Sequence, residues 1–119
     1  MSQSFSGTGL SQSALAGALD ALWARFLPDI EQRVFKLQAA AAALEAGALQ
    51  PEQQQEAHST AHKLAGTLGT FGLTRGTELA RELESSFSPD STLAAALADR
   101  AQEIAAELRT IVASRTPSG

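Results

Sequence analysis

Ala61-His62-Lys63-Leu64-Ala65-Gly66-Thr67-Leu68-Gly69-Thr70-Phe71-Gly72 is the stretch on which the reading of this chain turns. Leu64, Leu68 and Phe71, with Ala57 and Ala61 before them, recur at three- and four-residue spacing, the signature of one apolar helix stripe. At 100° per residue the stripe averages roughly 220° from His62, so the imidazole points roughly 140° away from the core direction. A helix is predicted over about 51–70. Pro51 suits a first helical residue, and Glu52 is favourable beside the positive helix end. Gly72 closes the helix.

His62 therefore faces water, and its neighbours on that sector of the wheel are Gln55, His58, Ser59, Ala65, Gly66 and Gly69. Glycine inside a helix costs about 1 kcal/mol relative to alanine. Placing Gly66 one turn beyond His62 breaks the local rule beside a titratable nucleophile, a pattern expected of functional sites. Gly66 and Gly69 are read as steric clearance for an incoming group. The alternative for both is close packing of a neighbouring helix.

Working outward, every other segment also reads as helix. Leu15, Leu19, Leu22, Trp23 and Phe26 make one stripe, with Ser11 or Ser13 as a capping residue. Pro28 lacks an N–H and clashes with the preceding turn, so it is expected to end a short helix over about 13–26 and to open a second over about 28–46. That second helix carries Ile30, Val34, Leu37, Ala41 and Leu44, and Gly47 ends it. A helix over about 73–87 turns Leu79, Ala80, Leu83 and Phe87 inward. After Ser88-Pro89-Asp90, a last helix over about 90–113 carries Leu93, Leu97, Ala101, Ile104, Leu108 and Ile111. No strand or internal repeat is evident. The expected fold class is all-α: an antiparallel four-helix bundle with an additional short N-terminal helix. The expected division is a disordered leader over 1–10, a helical domain over 11–114, and a tail or linker start over 115–119.

Composition supports one domain. The 119 residues are 44% hydrophobic and 18% charged, but only 5% aromatic, so alanine and leucine must fill the core. There is no cysteine, which excludes disulfides, thiolate metal sites and a cysteine nucleophile. The net charge of −4 and nine scattered Lys and Arg residues offer no basic face for nucleic acid. No apolar run approaches the roughly 20 residues of a membrane span, and residues 1–9 lack the regions of a secretory signal. No nucleic-acid or membrane partner is expected, and a monomer in the cytoplasm is.

Imidazole suits brief custody of a phosphoryl group. A free histidine side chain titrates near 6.5, so at pH 7 it is a neutral nucleophile, and its phosphoramidate is labile enough to pass the group on. One ring nitrogen attacks while the other needs an acceptor that fixes tautomer and orientation. Thr77, Arg81 and Glu84 form a stripe beside the core positions of the next helix. If that helix packs antiparallel, Glu84 and Arg81 flank His62. Lys63, about 100° round the helix, is within snorkelling reach of a bound phosphate.

These residues resemble the histidine-containing phosphotransfer (HPt) domains of two-component signalling. The matching elements are Ala61-His62-Lys63-Leu64-Ala65-Gly66, Gly69-Thr70-Phe71-Gly72, and Leu79-Ala80-Arg81-Glu82-Leu83-Glu84. The Gly-Thr-Phe-Gly element is similar to the phosphotransfer domain of chemotaxis-type kinases. The resemblance implies a phosphorelay carrier in which His62 accepts a phosphoryl group from a histidine kinase or a receiver-domain aspartate and hands it to a receiver-domain aspartate. It implies that Glu84 orients the imidazole and that Gly66 leaves room for the phosphate. The lysine this family places three residues after its histidine is here Ala65. Lys63 or Arg81 takes its part, or the partner supplies the contact.

His58 and His62 are four residues apart, but two histidines without cysteine or an intervening glutamate do not make a zinc-protease motif. No Gly-rich nucleotide loop is present, so the chain is expected to be a carrier without cofactor rather than an enzyme. Other readings are a part of a larger histidine kinase chain and a non-catalytic helical adaptor, which leaves the glycines beside an exposed histidine unexplained.

Overall fold

The structure is a computed structural model that describes residues 3–90 and 95–115, with side chains described from residue 12 onward, Ala95 excepted. Four helices account for it: α1 (Gln3–Glu45), α2 (Pro51–Thr70), α3 (Thr74–Ser86) and α4 (Ala95–Ser114). No strand occurs among the described residues.

The stripes meet in one core. Ile30, Val34, Leu37 and Ala41 of α1, the α2 row from Ala57 to Phe71, and Leu79, Ala80, Leu83 and Phe87 of α3 are all buried. Ala101, Ile104 and Leu108 of α4 join them. Leu93 lies outside the described residues. The helices form a square in which α1 and α3 each pack on both α2 and α4, while the diagonal pairs stay apart. This places the α2–α3 face opposite the α1–α4 face.

The additional short N-terminal helix is not a separate element. Pro28 lies inside α1, which runs through it without a break, and positions 11 and 13 fall within the helix rather than ahead of its first turn. A proline in a helix interior costs about 3 kcal/mol, because one hydrogen bond is lost and its ring crowds the preceding turn. Packing offsets that cost. Trp23 and Ile30 are both buried on one face, about two turns apart on either side of Pro28, and a break would throw them out of register. The leader expected over 1–10 falls partly outside the described residues, and its described part, from Gln3, continues α1.

At a 1.5 Å rise, the 43 residues of α1 reach about 65 Å, whereas the 20 residues of α2 reach about 30 Å. The longest dimension of the molecule is 65 Å, so α1 overhangs the bundle. Leu15 and Phe26, expected inward on the first stripe, are exposed.

Turns and seams fix the register. Gly47 and Gly72 take φ of 69° and 71°, the left-handed conformation that ends α1 and α2. Arg75 pairs with Glu107 and Arg100 with Glu82 across the α3–α4 seam. The hydrogen-bonding guanidinium of Arg100 holds the Glu82 carboxyl below its usual range, and Arg75 does the same to Glu107. Arg115 closes the lower end of the bundle. Its guanidinium meets Asp20 at 3.1 Å and lies 5.0 Å from the Trp23 ring and 5.6 Å from Phe71.

Candidate functional site

His62 projects from the fourth turn of α2, and its side chain is 72% exposed. The neighbouring Ala61 is fully buried, so core packing fixes the rotation of α2 and turns the imidazole outward. α3 then returns alongside α2 and delivers Glu84. His62 Nδ1 lies 2.8 Å from Glu84 Oε2. A carboxylate only accepts, so the proton of this bond sits on Nδ1 and the lone pair of the neutral ring on Nε2, facing solvent.

Gly66 lies one turn beyond His62, and a Cβ placed there would meet nothing within 4 Å. At Gly69 a Cβ would meet only the Thr77 hydroxyl, at an ordinary 3.6 Å. Neither glycine is required by helix packing. Gly76 is: its Cβ would come within 2.9 Å of Leu68 Cδ1, whose side chain is fully buried. The close approach of α3 to α2 therefore rests on Gly76, a position the sequence pattern did not single out.

The structure does not bring Lys63 or Arg81 onto His62. Lys63 points to the α1 side of α2, where it lines a groove with Lys36, Glu52 and Glu56. Arg81 is exposed on α3, one turn before Glu84. Neither side chain has a hydrogen bond or ion pair among the described residues. Ala65, expected on the open sector beside His62, is buried, because α3 packs close on that side. The open sector is thus narrower than the wheel implies, bounded by α3 on one flank and by Lys63 on the other.

His58 is the residue whose role the sequence left open. Its Nδ1 lies 2.7 Å from the backbone carbonyl of Glu84, which can only accept, so Nδ1 carries the proton. Gln54, one turn earlier, donates to the carbonyls of Phe87 at 3.4 Å and Ser88 at 3.1 Å. The legible signal was the four-residue spacing of Gln54, His58 and His62, which puts three polar groups in one row. Among the described residues no three His, Asp or Glu side chains are grouped to hold a metal ion.

The helical bundle agrees with the sequence comparison. The chain belongs to the Hpt domain family, whose model matches residues 21–114. Hpt domains are the phosphotransfer carriers of two-component phosphorelays, and this chain falls in that family. It is also similar to Protein RcaC of Microchaete diplosiphon, at 40% identity over 74 residues. That alignment takes in 62% of this chain but 11% of the relative's length. No solved structure matches. Among the described residues no helix is long and apolar enough to cross a membrane.

Proposed function

We propose that His62 is the phosphoacceptor of this domain, that Glu84 orients its ring, and that Gly66 and Gly69 leave space for the phosphoryl group. The working unit is the helical domain over about 11–114, acting as a monomer in the cytoplasm. Its partners are a response-regulator receiver domain, a histidine kinase, or both. The observation that carries the reading is the exposed imidazole whose Nδ1–H is held by Glu84, which presents the Nε2 lone pair to solvent.

In the transfer, the Nε2 lone pair attacks the phosphorus of a receiver's aspartyl phosphate. The P–N bond forms, the P–O bond to the aspartate breaks, and the aspartate leaves as a carboxylate. Nε2 carries no proton, so none has to leave. The ring keeps its Nδ1 proton and gains positive charge as the bond forms, and the Glu84 carboxylate offsets that charge. The reverse step returns the group to a receiver aspartate by the same path. Lys63 on one flank and Arg81 on the other are the cations of this chain that can turn toward the phosphoryl oxygens.

Incubation with a panel of radiolabelled phospho-receiver domains tests the assignment. Acid-labile label on the wild-type chain and none on His62→Gln is the expected result. Uptake by His62→Gln at the wild-type rate would sink it.

A further inference from the structure

The geometry points to His58 as a positioning residue for the phosphoacceptor, acting by clamping the main chain of Glu84. This rests on the assignment of His62 and Glu84 above, and adds a role for the second histidine. Glu84 lies in the last turn of α3, where carbonyls run out of helical N–H partners. The N–H groups of Phe87 and Ser88, which could have served it, bond Leu83 and Ser85 instead. The Glu84 carbonyl is taken by His58 Nδ1–H at 2.7 Å.

One residue is thus held twice from the same face of α2. His58 holds its backbone, and His62, one turn on, bonds its carboxylate at 2.8 Å. The first contact sets where along α2 the Glu84 Cα stands, and so sets the reach of the second. His58 is half-buried and His62 open, as suits a clamp beside a reacting group. Without the His58 donor, the carbonyl must find water, and among the described residues the main chain at the end of α3 keeps only the Gln54 bonds to Phe87 and Ser88 as hydrogen bonds to α2. Glu84 then loses its fixed distance to His62, and the His62 ring can adopt the other tautomer. Ring orientation by such outer partners is commonly worth about tenfold or more in function.

Imidazole nitrogen NMR on labelled protein reads both rings, and phosphorylation by phosphoramidate, a small donor, reads reactivity. In the wild type at neutral ring charge, both histidines are expected as the Nδ1–H tautomer. His58→Leu should shift His62 toward a mixture with Nε2–H and slow its phosphorylation about tenfold. His58→Asn, whose amide N–H can stand near the place of Nδ1, should restore both readouts. A folded His58→Leu whose His62 tautomer and rate match the wild type would overturn the clamp. So would an Nε2–H tautomer at His58 in the wild type, a result that needs no variant to fold. If the wild type takes no phosphate on His62, the phosphoacceptor assignment fails, while the tautomer spectra still decide the clamp.

Discussion

An imidazole offers two nitrogens, and what surrounds one decides what the other does. In His62 the Glu84 carboxylate engages Nδ1, so the neutral ring has its lone pair at Nε2. Replacing Glu84 with glutamine keeps the length of the side chain but removes the charge and offers either an amide oxygen or an N–H. Glu84→Gln should shift the tautomer balance of His62, seen by nitrogen NMR, and slow phosphoryl transfer by about tenfold. An unchanged spectrum would mean that the ring is oriented by something else. At this scale the exposure of His62 was legible, because helical periodicity alone turns it away from the leucine stripe. The Glu84 bond was legible only as a condition on how the next helix packs. The row of Gln54, His58 and His62 was legible as spacing, but the partner of His58 was not, since its acceptor is a backbone carbonyl and leaves no mark in the residue pattern.

The α2–α3 pair contains glycines of opposite meaning. Gly66 is helical, exposed and open around its missing side chain. Gly66→Ala should raise stability by about 0.5–1 kcal/mol, the usual gain from alanine in a helix interior. Gly76 sits against buried Leu68 and near Ile111. Gly76→Leu should lower stability by about 1–3 kcal/mol, the cost of overpacking a filled core, and should weaken the hold of α3 on the site. Thermal melts of the two variants check both signs, and a destabilised Gly66→Ala would speak against an open site. Sequence spacing could rank Gly66 as exposed, but it could not rank Gly76 as a contact, because that depends on which helix crosses there. The same holds for Pro28. Local rules end a helix at proline, and only burial of Trp23 and Ile30 on one continuous face explains why α1 runs on.

Across the whole molecule, α4 is tied to α3 by two arginine–glutamate pairs. Both carboxyls titrate below the ordinary value of 4.5 that they take in the unfolded chain. A depressed folded value means the stabilisation is complete above about pH 5 and is lost as pH falls through the folded values. The thermal midpoint should therefore decline on acidification below about pH 5, and the double variant Glu82→Gln, Glu107→Gln should show a shallower decline. Both pairs are well exposed, so the effect is modest and shrinks with added salt. An equally steep decline in the double variant would assign the acid sensitivity elsewhere.

The sequence by itself determined the helical class, the extent of α2 from Pro51 to Thr70, the glycine stops at Gly47 and Gly72, and the outward face of His62. Each of these follows from contacts within a few residues, where helix period and backbone freedom leave little choice. Only the tertiary structure decided that the first two expected helices are one, that Ala65 is covered, and that Gly76 admits α3 close to α2. It also decided that one residue of α3, Glu84, meets His62 through its carboxylate and His58 through its carbonyl. Those outcomes depend on the distance and register between helices, which arise when side chains far apart in the chain interlock and which no local pattern encodes.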